Sequence, residues 1–365
     1  MATPSIIGRT PSRKDHTLPA HPIDTQHLQD QLVALLQTPS PTGFAGPALD
    51  VTQEALKKLG LEPRRTKKGI LVADWAGNSS DRPRALTAHV DTLGAMVKEI
   101  KTSGRLRLSA LGGFDWHSVE GETCQIFSRQ GKQFTGTILP VQASRHVHGR
   151  EMDDLPRSSE TMEVRLDERV SSDSETRELG IEVGDAIAFD PRVHATQSGF
   201  IRSRHLDDKA GVTCILAAIA SLQTQGLQPS QSTRIHISHY EEVGHGAAAG
   251  LPDNLEDLVA VDMAAVGEGQ ASDEYHVTIC AKDSQGPYHA ALTDELIRLA
   301  TAESIPHKVD IYPYYGSDGE AYWRAGGDAR VALIGPGVDA SHHYERTHID
   351  ALTATAQLIA AYLVS

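Results

Sequence analysis

Ala85-Leu86-Thr87-Ala88-His89-Val90-Asp91 reads as a β-strand that runs out into side chains able to do chemistry. A short apolar run of this kind fits a strand covered on both faces. Open α/β sheets carry their functional groups where strands end on the carboxyl side, so His89 and Asp91 stand where such a sheet would hold a site. Two later stretches repeat the pattern: Arg234-Ile235-His236-Ile237-Ser238 precedes Glu241-Glu242, and Leu258-Val259-Ala260-Val261 precedes Asp262.

Upstream of this strand, Leu28, Leu32, Leu35 and Leu36 lie on one face of a helix that stops at the Pro39 to Gly43 turn. A second helix is expected over about 47–59, followed by a strand at 69–74. Between Val97 and about Val193 the texture changes to short β-like runs broken by Gly, Asp and Ser, with no long amphipathic helix. After Asp207 the helix and strand alternation returns, with strands at 277–279 and 331–334 and helices near 290–303, 318–325 and 350–363. This rhythm predicts an α/β fold: a mostly parallel sheet covered by helices on both faces, with an inserted small β-barrel domain. The expected units are a mobile tail over 1–20, a catalytic domain over 21–95 and 196–365, and the inserted barrel over 96–195.

Composition narrows the function. A formal net charge of -14 repels phosphate backbones and anionic lipid, which argues against nucleic acid and membrane partners. No apolar run approaches the roughly 18 residues of a spanning helix, and no signal-peptide pattern opens the chain. Cys124, Cys214 and Cys280 are odd in number and widely spaced, so a disulfide framework is not expected and the cytoplasm is the default location.

His89, Asp207, Glu241-Glu242, Asp262 and His342 follow one another along the chain. Imidazole and carboxylate suit divalent zinc or cobalt, and an Asp can bridge two ions through its two oxygens. The set predicts one ion held by His89, Asp207 and Asp262, and a second held by Asp207, Glu242 and His342. Asp91 would orient the His89 ring, and Glu241 would act as general base toward a water activated between the ions. Each piece also has an ordinary reading: Asp207-Asp208 suits a helix N-cap, Glu241-Glu242 an exposed pair, and His342-His343 a polar loop. His146 and His148 read as a solvent loop, His239 as a cleft residue without metal, and Ser317 or Asp318 as a cap.

Ala88-His89-Val90-Asp91, Leu206-Asp207-Asp208-Lys209-Ala210-Gly211, Glu241-Glu242-Val243-Gly244 and Val261-Asp262 resemble the ligand segments of metallopeptidase family 42, the tetrahedral and glutamyl aminopeptidase-like enzymes. Leu111-Gly112-Gly113 and Gly180 to Asp185 resemble that family's inserted barrel. The resemblance implies a fold of dinuclear zinc peptidase type, two zinc or cobalt ions per subunit, and removal of N-terminal residues from short peptides. It also implies a homo-oligomer, up to a dodecamer of dimers, with the barrel serving subunit association and substrate access. Thr92 stands where the family usually has an acidic residue, and the spacing in Ser341-His342-His343-Tyr344-Glu345 leaves His343 as the alternative last ligand. The ending from Ser341 to Leu352 is similar to a subgroup encoded beside synthesis genes for the osmolyte N-acetylglutaminylglutamine amide. Hence the second functional reading is an amidohydrolase or deblocking peptidase acting on an acylated dipeptide amide. A glucanase is disfavoured because glycosidases need paired carboxylates rather than this ligand set, and a non-catalytic binding protein has no use for Glu241.

Overall fold

The Ser79–His89 strand lies near the middle of a large sheet, hydrogen-bonded in parallel to Gln231–Ser238 on one side and Asp257–Val261 on the other. This computed structural model describes residues 21–365, and the expected tail over 1–20 lies outside the described residues. The first half of the Ser79–His89 strand is largely exposed, while Ala85 to His89 is buried throughout. Side chains alternate across the sheet, as period two requires. Leu86, Ala88, Val259, Val261, Ala332 and Ile334 point into one core. Ala85, Leu258, Ala260, Val331 and Leu333 point into another. Both faces are therefore covered, which explains why these strands read as continuous apolar runs.

The parallel centre continues from Asp257–Val261 to Arg330–Asp339. Antiparallel strands flank it, with Leu71–Trp75 beside Gln231–Ser238 and Val277–Lys282 beside Arg330–Asp339. The sheet is thus mixed around a parallel core. Thr25–Leu36, Leu206–Thr224 and Ile349–Val364 cover the first face, and Asp318–Arg324 covers the second. Leu206–Thr224 is buried almost all round, since it packs against the sheet and against both neighbouring helices. Among the described residues no helix is long and apolar enough to cross a membrane.

Inserted directly after the Ser79–His89 strand is a closed barrel. In closing order it comprises Gly94–Ile100, Leu106–Leu111, Met162–Leu166, Gln133–Pro140, Thr123–Phe127 and Ala186–Phe189. It has its own apolar core, including Val97, Leu106, Leu108, Ile126, Ile138, Val164 and Ile187. Because the insertion starts within a few residues of His89, the barrel's loops stand over the ends of the sheet strands.

Two glycines in Arg330–Asp339 allow close backbone approach beside the site. A Cβ at Gly335 would lie 1.6 Å from the Asp262 carbonyl oxygen, and one at Gly337 would lie 1.8 Å from that of Asp273. Gly335→Ala should therefore push the strand away from Asp262 and lower stability by about 3 kcal/mol or more. Urea unfolding checks this, and an unchanged midpoint would show that the strand gives way freely.

Candidate metal centre

Three strand ends and one hairpin tip converge. His89 closes the Ser79–His89 strand, Glu241 and Glu242 follow Gln231–Ser238, and Asp262 follows Asp257–Val261. His342 sits in the turn between Arg330–Asp339 and Glu345–His348, which pair at Asp339 and Arg346. Its φ of 62° is in the left-handed region, as is that of Ala340, so this turn is tight enough to aim the ring back over the sheet. Asp207 and Asp208 open the helix with non-helical φ/ψ and are joined by a cis peptide bond. Asp208 caps the helix, its Oδ1 accepting from Gly211 N at 3.1 Å, while its Oδ2 accepts from His89 N at 3.2 Å. Asp207 is left facing the cluster.

Asp207 lies between two imidazoles. Its Oδ1 is 3.0 Å from His89 Nε2, and its Oδ2 is 3.2 Å from His342 Nε2. Each ring is tied at its other nitrogen to a main-chain carbonyl: His89 Nδ1 to Asp91 O at 2.9 Å, and His342 Nδ1 to Gly113 O at 2.6 Å. With Nδ1–H donating, the neutral ring offers Nε2 as a lone pair. Where Nε2 faces a carboxylate oxygen a cation must lie between them, either the proton of a charged ring or a divalent ion. Around this axis lie Glu241 Oε2 at 3.6 Å and Asp262 Oδ2 at 4.0 Å from His89 Nε2, and Glu242 Oε2 at 3.7 Å from His342 Nε2. Ligand atoms of His89, Asp207 and Glu242 lie within 4.8 Å of one another, as do those of His89, Asp208 and Asp262.

The electrostatics point the same way. Burial and the charge of Asp207 push Asp262 up to about 7 and Glu242 up to about 8. Burial likewise raises Glu241 and Asp208 well above the usual carboxylate range, with Asp262 adding to both shifts. Asp207 goes the other way: burial opposes its ionisation, but the bonds from His342 and His89 hold it well below its ordinary value. His342 is pushed up to about 10 against burial by Asp207 and Glu242, and His89 is raised for the same kind of reason. So many carboxylates cannot ionise together in a buried space without added positive charge. The donor set of imidazole Nε2 and carboxylate oxygen fits divalent zinc or cobalt.

Asp91 is wholly buried and holds the site in a way its spacing did not indicate. Its main-chain carbonyl, not its carboxylate, bonds the His89 ring; the carboxylate Oδ1 is 3.8 Å away. The carboxylate accepts from Thr42 Oγ1 at 2.7 Å, Glu241 N at 3.2 Å and Glu242 N at 3.4 Å, and so fixes the turn that presents both glutamates. His342 rather than His343 meets the cluster. His343 is exposed, and its carbonyl accepts from Arg204. His239 stays out of the cluster and accepts from Gly43 N at 2.8 Å. His146 and His148 lie on the short exposed helix Arg145–His148, and Ser317 caps Asp318–Arg324.

Sequence reasoning did not single out Glu345. It is fully buried and accepts from Asp207 N at 3.1 Å and His342 N at 3.0 Å, so one carboxylate sets the backbone of two proposed ligands. Nor did it anticipate the barrel's part. Besides the Gly113 carbonyl on His342, buried Arg204 donates to the Ser118 carbonyl and lies 3.0 Å from Glu122, locking the barrel against the His342 turn.

The family model for M42 glutamyl aminopeptidase matches residues 69–358. A Bacillus subtilis (strain 168) protein called "Putative aminopeptidase YhfE" is 49% identical over 341 residues, covering 93% of this chain and 97% of its own. Among solved structures, a TET aminopeptidase from a marine sediment Thaumarchaeota archaeon matches with a TM-score of 0.83 at 18% identity, over 93% of this chain and 96% of that one. The Pyrococcus horikoshii TET1 peptidase, described as assembling into a tetrahedron or a large octahedral shell, matches with a TM-score of 0.82 at 20% identity, over 93% and 99%. These two likenesses show the shared fold, including the sheet and the inserted barrel. With the family model spanning most of the chain and a relative nearly half identical over almost its whole length, the chain belongs to the M42 glutamyl aminopeptidase family and is a peptide hydrolase.

Proposed function

We propose that the chain is a dinuclear metal-dependent aminopeptidase that removes N-terminal residues from short peptides, with Glu241 as general base. The observation that carries this reading is the Asp207 carboxylate, each of whose oxygens faces the Nε2 of a different imidazole, at 3.0 and 3.2 Å. His89, Asp207 and Asp262 would hold one zinc or cobalt ion, and Asp207, Glu242 and His342 the other. Bound there, the two ions would lower the pKa of water and polarise the scissile carbonyl. Glu241 Oε2 accepts the proton that the attacking water gives up and returns it to the departing amine. Asp91 keeps Glu241 and Glu242 presented together, and with an ion bound the main-chain carbonyls of Asp91 and Gly113 would hold both rings in the tautomer that turns the Nε2 lone pair to the metal.

Glu345→Gln tests the positioning role. Gln offers one acceptor oxygen in place of two, so the Asp207 and His342 N–H groups cannot both be served. Metal affinity should fall by about 10- to 100-fold, read by competition with a chromogenic chelator. Unchanged affinity would show that Glu345 is only a buried structural acid.

Substrate class is tested with leucyl and glutamyl anilides against an N-acetylated dipeptide amide. The free-amine substrates should turn over at least about 100-fold faster. The reverse order would favour the deblocking reading, which the resemblance of the Ser341 to Leu352 ending to the osmolyte-linked subgroup suggests. The assemblies of the Pyrococcus TET1 peptidase support a homo-oligomer, which light scattering of the purified protein measures. Cys124, Cys214 and Cys280 are all free and buried, in keeping with the cytoplasm.

A further inference from the structure

The cavity that holds Asp207, Glu241, Glu242, Asp262 and His342 has a volume of about 480 Å³ and extends to a second acidic group, Glu320. Glu320 lies on the Asp318–Arg324 helix beside Asp283, and the largest charges acting on it are those of Asp283 and Arg324. The two carboxyls are unequally served. Asp283 is fully buried and has a donor on each oxygen: Gln285 N at 2.9 Å on Oδ1 and the Tyr288 hydroxyl at 2.5 Å on Oδ2. Glu320 is 7% exposed; its carboxyl lies within hydrogen-bonding reach of the Asp283 carboxyl and the Ser317 N–H, but its Oε1 has no hydrogen-bond partner. Arg324 lies 4.0 Å from Oε2, but its side chain is 57% exposed and it donates to Gln285 Oε1.

A buried acceptor without a donor is unfavourable. In a substrate cavity, what binds can supply the missing donor. Burial beside Asp283 pushes Glu320 up to about 9, so on its own it holds its proton at neutral pH. A cation brought within hydrogen-bond reach favours the ionised form and displaces that proton.

We propose that Glu320, backed by Asp283, selects substrates whose N-terminal residue carries a cationic side chain, lysine or arginine, with its ammonium or guanidinium donating to Glu320 Oε1. This rests on the aminopeptidase reading and adds the substrate class to it. The α-amine of the same residue is held close to the scissile carbonyl and so stays beside the cluster, which leaves Glu320 for the side chain. Met263, Tyr315 and Ala321 also line the cavity and suit the methylene stem of such a residue. An acidic side chain would meet a buried carboxyl pair, and its attraction to solvated Arg324 would be screened. The buried group therefore decides the sign.

The test compares kcat/KM of the metal-loaded enzyme for lysyl, arginyl, leucyl and glutamyl anilides, in the native protein and in Glu320→Gln. Lysyl should exceed glutamyl by on the order of 100-fold in the native enzyme. The lysyl-to-leucyl ratio should fall at least about tenfold in Glu320→Gln. A ratio does not depend on the fraction of active protein, so partial misfolding of the variant cannot imitate the result. A native preference for glutamyl over lysyl, or a ratio unmoved by the substitution, overturns the proposal. If the native enzyme cleaves none of the anilides, the aminopeptidase reading has failed by itself. Calorimetric binding of L-lysinamide and L-leucinamide to both proteins then decides: a lysinamide preference lost in Glu320→Gln supports the site, and equal binding of the two amides by the native protein refutes it.

Discussion

Glu241→Gln should keep its full complement of divalent ions and lose turnover by about 10²- to 10⁴-fold. Glu241 Oε2 stands 3.6 Å from His89 Nε2 and Asp262 Oδ2 stands 4.0 Å from it, so distance does not separate base from ligand and the metal content of the variant does. The amide has the same shape and leaves the Glu241 N–H on Asp91 undisturbed. What it removes is the ability to take a proton. The loss should fall on kcat more than on KM, because the interaction is made as the proton moves and not when substrate binds. Metal analysis and steady-state kinetics on the same preparation check this. A variant that keeps most of its activity removes Glu241 from the role of base, and one that loses its ions makes it a ligand instead.

Asp207→Asn should lose metal as well as activity. Both oxygens of Asp207 are engaged, one toward each imidazole, whereas Asn has one oxygen and one NH₂ and no charge. Affinity for both ions should fall by at least about 100-fold. The metal-free protein should not be destabilised in proportion, because the substitution also removes a negative charge from among Asp262, Glu242 and Asp208, whose ionisation Asp207 disfavours. Thermal unfolding separates the two effects. Ions at about 100 times their Kd should stabilise the native chain by about 2.7 kcal/mol for each site filled, and the same additions should leave the variant nearly unmoved. Metal-dependent stabilisation persisting in Asp207→Asn would show that the ions do not share this carboxylate.

The centre of the sheet was legible because strands buried on both faces read as unbroken apolar runs, and His89, Glu241, Glu242 and Asp262 follow directly where those runs end. Asp207 was legible from its place ahead of a long apolar helix, although only the structure divides the labour, with Asp208 as cap and Asp207 toward the cluster. The antiparallel flanks were not, since strand direction in a mixed sheet depends on connections between segments and leaves no mark on any one of them. His307–Ile311 was not legible because it is a short edge strand with no fully buried residue, and its apolar Val309 and Ile311 are the exposed ones. The supports of the site were hidden for a different reason. The carbonyls of Asp91 and Gly113 act through the main chain, which every residue possesses. Glu345 sits among Tyr344, Arg346 and Thr347, where nothing in its surroundings signals burial. The Glu320 and Asp283 pair comes from segments distant in the chain, and only folding sets them together.

The most direct measurement is reconstitution of exhaustively chelated protein with zinc or cobalt, following hydrolysis of an unblocked anilide against ion added per chain. Activity should be absent at the start and should level off at about two equivalents, in step with the rise in thermal stability. Turnover that survives complete chelation, or that is fully restored by a single equivalent, would contradict a centre in which two cations share Asp207.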